Sequence, residues 1–472
     1  MKRILTLTTI IVLLASMLAA CSSGNNGTNN GNSSTGNSST NTPSTTDNSS
    51  SSGNSSSGEK ITINLWSFTD EIPNMTTKYL ELNPDLNVEF NTTIIATTDG
   101  AYQPALDQAL AAGGKDAPDI YAAEAAFVLK YSQGDASDYA ANYADLGLTD
   151  DMVKDAGIAQ YTVDIGSKEG QLKALGYQAT GGAFIYRRSL AQDTFGTDDP
   201  AVIKNEIGPG WDKFFEAAAK LKEKGYGIVS GDGDIWHAFE NSSDKGWVVD
   251  GKLYIDPKRE DFLDKAKLLK DNGYHNDTED WTESWYADMS GTGSQPIFGF
   301  FGPAWLINYV MNGQVKDTHG DWAIAESPEG FFWGGTWLLA NQSVLKDEAK
   351  KQAVADFIEW VTLDSSDTGL QYFWANGTMK EGEQGTKDSV ASSVVMDKSN
   401  GEVDLLGGQN MFDVFVPANA NATGKNLTQY DESINLIWRD QVREYTAGNK
   451  SREQALADFK AQVKDQLGIE SE

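Results

Sequence analysis

The chain has 472 residues, 13 tryptophans, 17 tyrosines, three histidines and one cysteine, and its formal net charge at pH 7 is −31. A surface this acidic repels phosphate backbones and anionic lipid heads, which excludes nucleic acid and electrostatic docking on a membrane. His237, His275 and His319 stand far apart with no metal-ligand spacing, so neither a resident metal nor a cofactor is expected, and the length asks for two domains plus tails.

At the N-terminus Lys2 and Arg3 precede a charge-free, mostly apolar run from Ile4 to Ala20. A basic start, an apolar middle and small residues before a cut describe a secretory signal peptide over residues 1–20. The run is short for a retained span and is followed by a polar tract. The ending Leu18-Ala19-Ala20-Cys21 resembles the lipobox of bacterial lipoproteins. That resemblance implies a diacylglyceryl group on Cys21, which becomes the mature N-terminus, and two or three acyl chains anchor stably where one does not. Losing Lys2 and Arg3 takes the net charge from −31 to −33. With Cys21 lipidated, no thiol is left for a disulfide, a zinc cluster or catalysis. Residues 21–58 are the lipidated cysteine and a tract of almost only Ser, Gly, Asn and Thr. Such a tract has nothing to bury and is expected to be a coil, with a reach of about 35 Å over roughly 37 residues. A glycosylated stalk or a cell-wall spacer has the same composition.

The globular body starts at Glu59. Ile61, Ile63 and Leu65 alternate as in a strand that runs into Trp66-Ser67-Phe68-Thr69-Asp70. Ile72, Met75, Tyr79 and Leu82 recur at helical spacing until Asn83-Pro84, and Val88 and Phe90 mark a second strand, a β-α-β unit with a parallel sheet. Tyr102–Ala112 is predicted helical up to Gly113-Gly114, Ala117–Tyr121 a strand, and Ala122–Tyr131 a helix. Ala183-Phe184-Ile185-Tyr186 is an apolar strand after Thr180-Gly181-Gly182. Trp211, Phe214, Phe215, Ala218 and Leu221 form one face of an amphipathic helix ending at Gly225. Ile228-Val229 restarts a strand leading into Gly231-Asp232-Gly233-Asp234-Ile235-Trp236-His237. Further on come a helix over Phe262–Leu269, a strand over Pro296–Phe301, a buried strand over Gly334–Ala340, and helices marked by Ala353 to Val361 and by Leu456 to Leu467. No internal repeat is present.

Five segments in this order resemble an extracellular solute-binding protein of a bacterial ABC importer, of the large family 1 type whose members bind sugars and oligosaccharides. They are Trp66 to Asp70; Ala117-Pro118-Asp119-Ile120; Phe184-Ile185-Tyr186-Arg187-Arg188; Gly302-Pro303-Ala304-Trp305; and Gly334-Gly335 with the helix Lys350 to Val361. The family usually has Asn-Lys-Asp after the tyrosine where this chain has Arg187-Arg188-Ser189, a scaffold segment. The resemblance implies an α/β, two-lobed, periplasmic-binding-protein-like fold of type II style, with the ligand cleft between the lobes and three hinge crossovers. These are expected near Tyr177 to Gly182, Ser327 to Gly334 and Thr378 to Ser389. It also implies a first lobe from residues 59–177 and 330–379, and a second from 178–329 and 380–472.

In open α/β sheets ligands sit beyond the carboxyl ends of the strands. Trp66, Phe68 and Asp70 are expected at such an end, as are Asp232, Asp234, Trp236 and His237, with Trp305 at its helix start, Trp333 at a crossover and Trp337 just beyond. Glu124 follows the Asp119 strand. An indole covers the flat face of a pyranose ring and carboxylates accept from its hydroxyls, so this set suits a saccharide cleft. The structural alternatives are plain. Trp211, Trp360 and Trp438 lie in helical apolar patterns and are expected in the core, and Asp70 suits a helix cap. Asp232 and Asp234 lack the remaining ligands of a calcium loop. The resulting expectation is a lipid-anchored binding protein on the outer face of the cytoplasmic membrane of a Gram-positive-type envelope. It would be a non-enzymatic monomer that hands a carbohydrate to ABC permease subunits. The alternatives are the same fold with a peptide or polyamine cargo, or a surface glycoside hydrolase, which needs two carboxylates about 5–10 Å apart across a cleft.

Overall fold

The computed structural model describes residues 60–471, so the signal-peptide, Cys21 and linker assignments lie outside the described residues. Alternating apolar and polar positions build the first sheet. β1 (Ile61–Ser67) pairs in parallel with β2 (Val88–Ile94) and with β3 (Ile120–Glu124). α1 (Glu71–Leu82) makes the crossover from β1 to β2, and α2 (Tyr102–Ala112) the one from β2 to β3. Ile63 and Leu65 are fully buried between the layers. Asn64 is buried as well, its amide donating to the carbonyls of Lys115 and Ala117. Asp119 accepts the Asn64 backbone N–H at 2.8 Å and the Lys350 ammonium at 3.0 Å, which sets the start of β3.

β3 continues through Ala122 to Glu124, and α3 starts only at Ala125 and runs to Ser132. The expected helix from Ala122 therefore starts three residues late. Alanines carry no helical or strand signature of their own, and here the antiparallel neighbour β8 (Thr336–Ala340) pairs with the whole of β3. β4 (Ala174–Gly176) closes the sheet in the order β2–β1–β3–β8–β4. The second sheet has three strands, in the order β6 (Gly299–Gly302), β5 (Ala183–Arg187), β7 (Trp322–Glu326), all antiparallel.

Around this sheet pack α4 (Trp211–Glu223), α5 (Asp232–Asn241), α6 (Pro257–Asn272), α8 (Phe412–Asn421), α9 (Asp431–Thr446) and α10 (Arg452–Leu467). α7 (Glu348–Thr362) packs on the first sheet through Val354, Phe357, Ile358 and Val361. Trp211, Trp360 and Trp438 all lie in the core. The protein is thus an α/β structure of two lobes, one per sheet, with apolar layers on both faces of each.

Two segments differ from expectation. Ile228 and Val229 do not form a strand; the backbone there makes one bridge, Gly227 to Ile297. Gly231 to His237 is not a strand-end loop either, because helix α5 begins at Asp232. The cause is Asp234, whose carboxylate turns back to accept from the N–H groups of Ser230 and Gly231 at 3.0 and 3.1 Å and so caps the helix it stands in.

The lobes are laced together at three crossings. The first (177–182) and second (327–335) pair as a short ribbon: Gly182 N–H donates to Phe331 O at 2.9 Å and Trp333 N–H to Thr180 O at 3.1 Å. The third crossing lies along the other side of the first, where Ala391 N–H donates to Tyr177 O at 2.9 Å and Gln178 bridges Val390. Asn419 of α8 ties them, accepting from Gly181 N–H at 2.8 Å and donating to Ser389 Oγ at 3.1 Å.

Candidate functional site

A cavity of about 470 Å3 opens between the lobes, within the range of small-molecule sites. From the first lobe it is reached by the start of α3, where Glu124 stands at the N-cap with Oε2 accepting from Ala126 N–H at 2.7 Å. From the second lobe it is walled by α5, the loop Glu279 to Trp281, and α9. The second crossing forms its back through Phe332, Trp333 and Gly334. Gly334, with φ of +72°, makes that turn possible: it adopts a left-handed backbone within reach of both Glu124 and Trp305.

Aromatic rings dominate one side. Trp305 and Trp281 lie nearly parallel, 8° apart with centroids at 5.9 Å. Trp333 stands edge-on to Trp305 at 4.7 Å and to Trp281 at 5.8 Å. Trp305 Nε1 donates to Trp333 O at 3.0 Å, locking two of the rings, and His237 stacks flat on Trp333 at 3.7 Å. Such ring pairs contribute about 0.5–1.5 kcal/mol each beyond their buried area. Trp281 is the exception in exposure: it is 53% exposed and has φ of +66°, a left-handed conformation costly for a side chain this large.

Carboxyl groups line the same cavity. Burial pushes the Glu124 carboxyl up to about 7, against the pull of its helix-cap hydrogen bond and with Glu432 adding to the rise. Burial pushes Glu240 up to about 8, with the charges of Glu432 and Asp431 adding and Arg259 and Arg439 opposing. Withdrawal from bulk water and then Asp431 raise Glu432. Asp280 goes the other way. Its burial is outweighed by His237, whose Nε2 lies 3.2 Å from Oδ2, and by Arg439, so it is held below the usual carboxylate range. Arg439 itself is engaged by Asp232 at 2.8 Å.

Of the residues singled out in the sequence, Glu124, Trp236, His237 and Trp333 reach the cavity, and Trp305 stands behind it in the aromatic wall. Trp236 is 4% exposed and mainly packs on Phe262 in the core. Asp232 is occupied by Arg439, and Asp234 caps α5. Trp337 is buried in the first lobe with Nε1 donating to Thr162 O, and Phe68 packs edge-on to Tyr102 and Phe127. Trp66 is half-buried beside the same cluster, and Asp70 is exposed with no side-chain cap on α1. None of the last four lines the cavity.

The sequence reading missed Trp281, Glu240, Asp280, Asp431, Glu432 and Arg439. A signal existed for Trp281, a large ring in Glu279-Asp280-Trp281-Thr282, outside any apolar periodicity. Asp431 and Glu432 look in sequence like ordinary helix-start acids. Among the described residues, no three His, Cys, Asp or Glu side chains gather as a cation site, and no helix is long and apolar enough to cross a membrane.

Comparison with known proteins agrees with this architecture. Over nearly its whole length (99%), a crystal structure of an extracellular solute-binding protein of family 1 superposes on 86% of this chain, with a TM-score of 0.69 and 17% identity. The galacto-N-biose/lacto-N-biose I-binding protein of the ABC transporter from Bifidobacterium longum, in complex with lacto-N-biose, covers 88% of this chain and 100% of its own, at TM-score 0.61 and 13% identity. The substrate-binding protein Lmo0181 from Listeria monocytogenes, in complex with cycloalternan, covers 87% and 100% at TM-score 0.57 and 16% identity. At these identities the likeness concerns the fold. No curated protein sequence matches the chain. The family model of the bacterial extracellular solute-binding proteins matches residues 66–367, most of the body described above, and the chain belongs to that family.

Proposed function

We propose that the protein captures a carbohydrate, most simply an oligosaccharide, in the inter-lobe cavity and presents it to the permease of an ABC transporter. The observation that carries this is a cavity of about 470 Å3 lined by Trp281, Trp333 and several carboxyl groups, with Trp305 packed behind the two indoles. A sugar ring has an apolar face for the indoles and hydroxyls for the acids. The neighbours complexed with lacto-N-biose and cycloalternan point the same way.

In this proposal Cys21 carries the lipid and residues 22–58 are the leash that holds the body outside the membrane. Segments 59–177 and 330–379 form one lobe and 178–329 and 380–472 the other, and the chain works as a monomer without catalysis. Isothermal calorimetry against di- to hexasaccharides of xylan, mannan, glucan and arabinan tests it. A one-to-one response to one series identifies the cargo, and silence of the folded protein toward every saccharide refutes it.

A further inference from the structure

We propose that Asp388 is a proton-operated catch between the lobes: neutral, its carboxyl holds the first and third crossings together, and ionised, it lets them part, so the lobe angle follows pH with no ligand bound. Asp388 is 2% exposed. Its Oδ2 accepts from Gln178 Nε2 at 2.9 Å and its Oδ1 from the Ser389 N–H at 2.8 Å. Gln178 belongs to the first crossing and Asp388 to the third, so the first of these bonds joins the two. The same stretches of chain are tied by Ala391 N–H to Tyr177 O at 2.9 Å and by the bridge between Gln178 and Val390. Ser389 Oγ in turn accepts from Asn419 of α8 at 3.1 Å. The carboxyl thus stands in the seam where the chain passes between the lobes, and it is not part of the cavity lining.

Only neutral donors answer it. Among the described residues, neither Asp388 nor Glu71 has an ion-pair partner. Lys387, its neighbour in the chain, reaches instead to Glu402 O at 2.9 Å and Asn400 Oδ1 at 3.4 Å. The titratable groups facing Asp388 are Glu71 of α1, Tyr177 of the first crossing and Tyr309 of the π-helical turn Leu306–Met311 that follows β6. Glu71 accepts from the Tyr177 hydroxyl, and Asp70 beside it adds negative charge. Lys78, two turns along the same face of α1, lies over Phe373 at 5.0 Å and 3.8 Å from Glu81.

A neutral carboxyl is satisfied by the two donors at Asp388, whereas an ionised one near Glu71 is a buried charge without compensation. Burial pushes Asp388 up to about 7, against its hydrogen bonds and with the Glu71 charge adding to the rise. Water returns a carboxyl to about 4, and water reaches this one only if the crossings separate. The bonded seam therefore holds the proton more tightly than the parted one. Its advantage is full below about 4, falls as pH rises, and is gone above about 7. Glu71, raised chiefly by burial, acts in the same direction. The lobe arrangement described above is that of the neutral form.

The test measures the distance between spin labels on the two lobes by pulsed electron spin resonance, without ligand, at pH 5 and pH 8. It uses the full chain with Cys21→Ser and labelled cysteines at two exposed helix positions, Glu81→Cys in α1 and Glu223→Cys in α4. The expected shift is on the order of 5 Å, as a rotation of about 15° over an arm of about 20 Å gives. Asp388→Asn, shown to be folded by thermal melting, should keep the pH 5 distance at both pH values. Glu71→Gln should move the midpoint of the transition to lower pH, because it removes the charge that raises Asp388. An unchanged distance in the parent chain overturns the inference. So does an undiminished shift in Asp388→Asn, which would assign the movement to Glu124 and Glu240 in the cavity, or a midpoint unmoved by Glu71→Gln. No sugar enters the measurement, so each of these results leaves the proposed cargo untouched.

Discussion

Replacing Trp281 by glycine should separate binding from stability. The ring is 53% exposed, so of the 150–250 Å2 an indole can bury, about 100 Å2 already lies against Trp285, Trp305 and Trp333 and about 100 Å2 is free. At about 25 cal/mol per Å2 each half corresponds to about 2.5 kcal/mol. Glycine forfeits the packed half. It also removes the cost of a left-handed side-chain residue at φ of +66°, about 1–2 kcal/mol. The net loss of stability is then about 1 kcal/mol. A ligand that covers the free half loses up to about 2.5 kcal/mol, which is tenfold to about 70-fold in affinity. Trp281→Ala should lose the same affinity but more stability, since alanine keeps the strained backbone. Denaturant unfolding and calorimetry with the sugar identified by the panel above measure both. Affinity within twofold of the parent chain, or a stability loss above about 3 kcal/mol for the glycine variant, would show that Trp281 is packing and not a platform.

Two further outcomes concern the crossings. Burial pushes Asp388, at the third crossing, up to about 7, against hydrogen bonds from Ser389 N–H and the Gln178 amide. A carboxyl raised in the fold stabilises while it stays protonated, so its contribution is full below about 4 and is lost as pH rises through 7, with Glu124 and Glu240 acting in the same direction. The denaturant midpoint should therefore be higher at pH 5.5 than at 8.5, and Asp388→Asn should reduce the difference by stabilising the alkaline side; a flat profile in the parent chain contradicts this. At the first crossing, a Cβ on Gly182 would fall 1.8 Å from Cζ of the buried Phe331. Gly182→Ala is expected to cost about 1–3 kcal/mol, with partial recovery in the double variant carrying Phe331→Leu, and additive losses in thermal melts would rule out that contact as the cause.

What was legible in the sequence followed local rules. β1, α1, β2 and α2 have their apolar residues at spacings that tertiary packing had no need to override, and α2 begins and ends at the residues its periodicity marks. The Gly231–Asp234 segment was misread because Gly and Asp are turn formers in isolation, whereas here Asp234 satisfies two backbone N–H groups that only a helix start presents. The site itself was half legible. Glu124, His237, Trp305 and Trp333 could be proposed from their places relative to strands and crossings. Glu240, Glu432 and Arg439 could not, because what distinguishes them is the approach of α5 to α9, whose bonded residues Glu240 and Asn435 are 195 positions apart, and the carboxyl groups show no periodicity that foretells it.

If the proposed site holds the ligand, the second crossing, which lines the cavity and joins the lobes, ties ligand contact to the lobe connection. Trp333 N–H is bonded to Thr180 of the first crossing, its carbonyl holds Trp305, and its ring carries His237. One residue earlier, Phe332 accepts from Asn241 of α5 at 3.0 Å and stacks on Tyr161 of the first lobe at 4.8 Å. A sugar ring seated on Trp333 therefore loads a backbone that cannot shift without moving groups in both lobes. Glu124, at the start of α3 in the first lobe, stands beside the same crossing, where Ala125 N–H donates to Gly335 O at 3.0 Å. A ligand bridging the indoles and Glu124 favours whichever lobe angle brings both within bonding distance, and by linkage it shifts the population toward that angle only as far as its two-sided contacts exceed one-sided ones. Ligands that touch only the tryptophan wall should thus bind without the closure that a bridging ligand produces, and small-angle scattering of the two complexes would separate them.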